Sequence, residues 1–323
     1  MLDQSPETME SAVDVDNSKP TERVDFEALL DEPSETDTGY QKKKLGAFFW
    51  AAVTWLVVLL FAAIFADLLP LRDPNKTFAG TSRQGPSAAH WFGNDNIGKD
   101  VFTRTIYGAR RSMLIAGSAE LMGFLLGGTV GLLAGYYRKR VEGLLMGGVD
   151  VLLAFPALIL AMILVLFLGE TEIPVLATLV GSPTKALICA LGILTIPTIA
   201  RITRAGVLVS TEREYVLASR TLGARDLRIM VREILPNVLP AMLAYALIGI
   251  SFLIIIEAAL AFFGLSDLNK PSWGTMINLG RDQLDEAPHM VFFPALFMFL
   301  TVLSVNYIGD RMRDYFDVRE AAI

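Results

Sequence analysis

The run AFFWAAVTWLVVLLFAAIFADLL, residues 47–69, carries no charge before Asp67. A helix rises about 1.5 Å per residue, so this run covers roughly 30 Å, the hydrocarbon thickness of a bilayer. Five more apolar segments follow, at 112–135, 144–168, 185–200, 237–263 and 289–309. The expected fold is an all-α membrane protein with about six transmembrane helices. Composition agrees, with 53% apolar residues and a mean hydropathy of +0.47, greasier than a soluble domain of this length. Pro156 and Pro197 fall inside the third and fourth segments, and both predict helix kinks.

Basic flanks set the orientation of such spans. Lys42, Lys43 and Lys44 precede the first span, which places its start in the cytoplasm. Alternation then puts the short loop with Arg138, Lys139 and Arg140 on the same side. Segment 201–236, with seven arginines against Glu212, Glu214, Asp226 and Glu233, also falls there, as do both termini. Segment 70–111 runs against the rule, since it is placed outside yet carries seven Lys and Arg.

The net charge of −6 is unevenly spread. Residues 1–40 hold twelve acids against Lys19 and Arg23, a net −10, so the remainder carries +4. That stretch is rich in Ser, Thr and Pro and buries too little surface to offset its ordering entropy, which predicts a disordered tail. It has neither the positive start nor the apolar stretch of a signal peptide, and none is expected. The expected organisation is an acidic cytoplasmic tail over 1–40, a first helix within 41–70 and an extracellular segment over 71–111. A five-helix core over 112–310 holds the loop 210–236, and a cytoplasmic tail follows over 311–323.

Several chemistries have no residues to run on. One cysteine, Cys189, and two distant histidines, His90 and His289, offer no disulfide framework and no metal-ligand motif. Residues 93–100, GNDNIGKD, come close to the phosphate-loop pattern, but Asp100 stands where a hydroxyl must meet Mg²⁺, and no buried strand precedes it. No HExxH or GxSxG motif occurs. Neither ATP hydrolysis, cofactor binding nor nucleic-acid binding is expected of this chain.

Gly123, Gly127, Gly131 and Gly135 recur every fourth residue in the second segment, with Gly143 and Gly147 beyond. In lipid such a stripe lets helix backbones approach closely. Two readings stay open, a partner helix in this chain or one in a second subunit. Glu120, Asp150 and Glu257 lie within apolar segments, where an ionised carboxylate costs about 3 kcal/mol or more. Each should face the bundle interior, water or a partner. For Asp150 and Glu257 a translocation path and an interhelical polar contact are the competing readings.

The most informative stretch is STEREYVLASRTLGARDLRIMVREILPNVLP, residues 210–240. Thr211 and Glu214, three apart, predict a capping box that starts a helix. Tyr215, Ala218 and Leu222 fall on one face, and Gly223 fits the helix C′ position. Asp226 starts a second amphipathic helix with Leu227, Met230, Val231 and Ile234 as its stripe, and Pro236 and Pro240 mark its end. A pair of this kind suits either docking to a partner or lying flat on the bilayer surface.

The stretch EYVLASRTLGARDLRIMVREILPN resembles the coupling-loop signature of ABC importer permeases, with Leu217, Ala218, Ser219, Gly223, Ile234, Leu235 and Pro236 in the aligned positions. Leu217 stands where the pattern has Glu and Ser219 where it has a second Ala, while the helix–Gly–helix geometry is kept. HWFGNDNIGKDVFTRTIYGARRSM, GYYRKRVEGLLMGGVDVLLAFPALIL, EAALAFFGLSD, PSWGTMINLGRD and FPALFMFLTVLSVNYIGDRMRDYFDVR are similar to the C-type permease subunits of dipeptide, oligopeptide and nickel importers. The likeness covers roughly residues 45–319, in order.

That resemblance implies a type I importer permease with a cytoplasmic coupling helix, in a bacterial cytoplasmic membrane. It implies contact of Glu214, Tyr215, Ala218, Ser219, Leu222, Gly223, Ala224 and Pro236 with an ATPase. Implied partners are a homologous B-type permease, two cytoplasmic ABC ATPases that use ATP and Mg, an extracellular substrate-binding protein and the lipid bilayer. Dipeptides or oligopeptides are the implied cargo, nickel being the alternative within the family. An ion-gradient-driven secondary transporter is the competing class, but such proteins show inverted repeats, and none is evident here.

Overall fold

The computed structural model describes residues 46–170 and 180–321, the side chains of 316–321 excepted. The acidic stretch 1–40 and the lysines at 42–44 lie outside the described residues.

Helix α1, Ala47–Ile64, buries only Ala52, Leu59 and Ala63, so most of its surface lies outside the core. Its opposite number at the far end of the chain is α9, His289–Ala321. Trp55 donates its indole N–H to Thr301 at 3.2 Å, and the rings of Phe48 and Tyr307 meet at 4.8 Å. The beginning of α1 and the later part of α9 therefore lie at the same end of the bundle.

Helix α2, Val101–Tyr137, is 37 residues long and starts eleven residues before the apolar segment that predicts it. Arg104, Arg110 and Arg111 hide this first part from hydropathy. The helix is capped at its start by Asp100, whose carboxylate accepts the Thr103 N–H at 2.9 Å.

The third expected span, 144–168, is two helices instead of one kinked helix. Helices α3, Lys139–Leu153, and α4, Ala157–Gly169, meet at 96°. Pro156 sits at the junction: it has no N–H to donate, and its ring drives Phe155 away from helical geometry. Helix α5, Pro183–Ser210, by contrast continues through Pro197 as one element and outlasts its apolar segment by ten residues. Among the described residues, and counting the bent pair as one crossing, six helical segments are long and apolar enough to span a bilayer.

The glycine stripe of α2 faces α5 of the same chain, which decides between the two readings of that stripe. A Cβ on Gly127 would lie 2.7 Å from the Ile196 carbonyl, and one on Gly135 2.8 Å from Val207. One on Gly123 would overlap Thr195 outright. Gly143 and Gly147, on α3, have open space around them and serve no such contact. Close backbone approach replaces the hydrophobic drive that lipid cannot supply.

After α5 come a short helix α6, Glu214–Thr221, and α7, Asp226–Phe262, which crosses back. A further short helix, α8, Trp273–Gly280, is started by a capping box between Ser272 and Thr275 and packs on α2, α7 and α9. It is too short to register as an apolar segment.

At the end of the bundle opposite α6, residues 66–100 fold back over the helices. The phosphate-loop look-alike belongs to this cap. Gly93 and Gly98 adopt φ of 76° and 80°, and isolated bridges join Thr77 to Lys99 and Asn94 to Asp100. Asp100 pairs with buried His90 at 2.8 Å, and the Asp95 carboxylate accepts the Lys99 N–H at 2.7 Å. The carboxylate that spoils a nucleotide site is the one that caps α2.

Candidate functional site

The elbow between α5 and α7 is built differently from the pattern that locates it. Thr211 does not cap α6. Its hydroxyl donates to the Leu208 carbonyl at 2.9 Å and accepts from Arg138 at 3.0 Å, so it completes the end of α5. Arg213 occupies the N-cap position without a side-chain bond, and Glu214 is the first helical residue rather than the third. The expected capping box is thus absent. Glu214 supplies a negative charge at the positive end of the helix dipole.

The other end of α6 closes as a Schellman turn. The Gly223 N–H bonds the Arg220 carbonyl at 3.0 Å, and the Ala224 N–H bonds the Ser219 carbonyl at 3.1 Å. Gly223 takes φ of 80°, a conformation in which a Cβ is penalised.

Asp226 then opens a helix that does not stop at the prolines, contrary to the expected second short helix. Residues Ile229–Ile234 form a π turn, in which the Leu235 N–H reaches back to Met230. Pro236 follows immediately, in the first turn of the regular part, and Pro240 lies inside it. Proline cannot donate to the carbonyl four residues earlier, and the widened turn lies where that bond is lost. One element therefore joins the elbow to the membrane core.

Burial divides the elbow cleanly. Val216, Ile229 and Ile234 are fully buried, packed with Val207, Ile199, Val238 and Met242. Tyr215, Leu217, Ala218, Gly223 and Pro236 face outward, Ser219 and Ala224 are half-buried, and Leu222 is 88% exposed. Leu227 and Val231 are exposed too, so only Met230 and Ile234 of the expected second stripe point inward. Arg213, Arg220, Arg225, Arg228 and Arg232 flank this apolar tip along the chain, and all of them are exposed. The anchor Val216 is invisible to periodicity, because Tyr215, Val216 and Leu217 are consecutive and apolar on three sides of a helix of eight residues.

Polar contacts tie the elbow to its neighbours. The Tyr136 hydroxyl donates to Asp226 at 2.8 Å and accepts from Arg220 at 3.4 Å. Arg138 pairs with Glu212 at 3.1 Å, and Arg204 pairs with Glu142 of α3. Asn237 donates to the Tyr215 hydroxyl at 3.2 Å.

The acids in the spans separate into three environments. Asp150 makes an exposed ion pair with Arg201 at 2.6 Å. Glu257 is completely buried and accepts from Ser112 at 3.0 Å, while the same Ser112 oxygen accepts the Trp273 N–H at 3.3 Å. The Trp273 indole reaches the Thr105 carbonyl at 3.2 Å. Glu257 is thus the root of a chain of bonds that pins α8 to α2 and α7. Glu120 is buried against Gly249 of α7, and its oxygens have no hydrogen-bond partner among the described residues. No three His, Cys, Asp or Glu side chains gather as a metal site among the described residues.

The family described as binding-protein-dependent transport system inner membrane component matches residues 127–321, a stretch that includes the whole elbow. The dipeptide transport system permease protein DppC of Alkalihalophilus pseudofirmus is 37% identical over 270 residues, 82% of this chain and 85% of its own length. The glutathione transport system permease protein GsiD of Pectobacterium atrosepticum is 36% identical over 269 residues, 83% of this chain and 85% of its own. Among solved structures, the inward-facing MetNI methionine ABC transporter shares the fold, with a TM-score of 0.54 at 19% identity, over 66% of this chain and 96% of that one. With residues 127–321 matching its model, this chain belongs to the family of inner membrane components of binding-protein-dependent transport systems.

Proposed function

We propose that this chain is a permease subunit of an ATP-driven peptide importer, and that its elbow is the seat for a cytoplasmic ATPase. The observation that carries this reading is the elbow's construction, a nearly naked Leu222 between the exposed Arg220 and Arg225 in the chain, on a turn whose Val216, Ile229 and Ile234 are fully buried. A large apolar side chain that projects into water from a rigid base suits insertion into a partner's cleft, and the surrounding charges suit register and partner choice. A helix lying flat on lipid would bury its apolar side in the bilayer, whereas α6 buries Val216 in the protein.

The elbow then lies in the cytoplasm, both termini with it, and the cap over 66–100 faces outward to meet a binding protein. A second, homologous permease completes the path, and two ATPases use ATP and Mg. This chain itself binds no cofactor and catalyses nothing. Peptide cargo is supported by the names of two relatives, one a dipeptide and one a glutathione permease, glutathione being itself a small peptide.

The test is copurification and labelling. Leu222→Asp should insert normally but lose its ATPases, and a cysteine at position 223 should react only with reagents that cross the membrane. A retained ATPase, or reaction from outside intact cells, overturns the proposal.

A further inference from the structure

Two kinds of contact hold the elbow. The apolar underside around Val216 is non-directional and tolerates sliding. The polar contacts are few and directional, and Tyr136 makes the central ones. Its ring is half-buried in the apolar cluster beneath the elbow, and its hydroxyl stands between Asp226 at 2.8 Å and Arg220 at 3.4 Å. The Arg220 guanidinium also lies 5.7 Å from the ring centre. Arg220 lies in the last turn of α6 and Asp226 begins α7, so one phenol grips both arms of the Gly223 turn. A hydroxyl that donates once and accepts once is fully used there.

Tyr136 is also the penultimate residue of α2, the helix whose glycines bring it into backbone contact with α5. Two residues on, Arg138 bonds Thr211 and Glu212 across the α5–α6 link. Without these ties, a push on the elbow would be taken up locally, at the π turn Ile229–Ile234, where α7 is already widened.

We propose that Tyr136 is a positioning residue that locks both arms of the elbow to the end of α2, so that elbow, α2 and α5 move as one body when the ATPases close. This rests on the elbow being the ATPase seat. The motion goes to the α2–α5 pair through the phenol hydroxyl, and α7 follows.

The experiment uses the complete complex with its ATPases in nanodiscs, in a Cys189→Ala background. Spin labels are placed at Thr221→Cys on the elbow and Leu125→Cys on α2, both exposed positions. Their separation should be the same in the nucleotide-free and the ATP–vanadate states. In Y136F, which keeps the ring and removes only the hydroxyl, it should change by about 2 Å or more, the scale of helix shifts in switching proteins. D226A should behave like Y136F, and D226N, which keeps an accepting oxygen, like the parent. A label pair that stays fixed in Y136F, or that already moves with Tyr136 present, overturns the proposal. So does loss of the ATPases from both Y136F and D226A, which would make the contact a matter of assembly only. Absence of ATPases from the parent chain is a separate result and sinks the docking role itself.

Discussion

A methyl group on Gly131 would overlap the carbonyl oxygen of Ala200, so closely do the two backbones approach. The contact is backbone to backbone, so neither helix has a flexible side chain that could give way. Gly131→Val should force α2 and α5 apart and cost about 1–3 kcal/mol, the range for overpacking a core. Gly147→Ala, in open space, should be close to neutral. Thermal unfolding of the two variants in detergent checks this, and equal stability would refute the zipper.

A Cβ added to Gly223 would meet nothing within 4 Å, yet the residue's φ is 80°. Any penalty for a side chain there is therefore backbone strain, about 1–2 kcal/mol, and greatest for a β-branched residue. Gly223→Val should abolish ATP-driven uptake with insertion unchanged, and Gly223→Asn, which tolerates left-handed geometry, should retain most of it. Uptake assays on membrane vesicles with matched permease levels decide. Equal behaviour of Val and Asn would count against the turn.

Val216 and Leu222 are both apolar residues of the elbow, and they should fail in different ways. Val216→Ala removes two buried methyl groups, a loss of about 1.5 kcal/mol at roughly 0.8 each, and should loosen the elbow itself. Leu222→Ala should leave the permease as stable as before and weaken only ATPase binding. Protease sensitivity of the loop, measured beside ATPase copurification, separates the two. If Leu222→Ala destabilised the isolated permease, Leu222 would belong to the core.

The Glu257–Ser112–Trp273 chain predicts a local effect far from the elbow. Ser112→Ala leaves the buried Trp273 N–H without its acceptor and removes the donor to Glu257, a cost of about 1–3 kcal/mol. Hydrogen exchange at α8 should quicken about tenfold for each 1.4 kcal/mol lost, with α5 unaffected. Unchanged exchange at α8 would show that the helix is pinned by other contacts.

Much of the elbow could be read directly from residue order. Gly223, Asp226 and the arginines announce a turn between polar helices, because a positive φ and a helix start each demand particular residue types. The inward side chain was not legible. Leu217 is as apolar as Val216 and Tyr215 has a large apolar ring, and only the packing of Val207 and Ile234 beneath the loop selects the middle one. Tyr136 gave no signal either, since its partners are 84 and 90 residues away. Likewise Thr211 and Glu214 have the spacing of a capping box, but Arg138 and the end of α5 claim the threonine hydroxyl first.

Residue order by itself determined the medium, the number of apolar crossings and the place where the chain turns back, because the solvation of each side chain depends on its own chemistry. Tertiary structure decided which helix meets which, and with it the fate of two identical residues. Pro197 is buried and leaves α5 unbroken, because the glycines of α2 clamp that helix on both sides of the missing hydrogen bond. Pro156 lies among exposed neighbours, with no such clamp, and there the chain breaks by 96°. A proline removes the same bond in both places, and what differs is whether a neighbouring helix packs closely enough to keep the helix continuous.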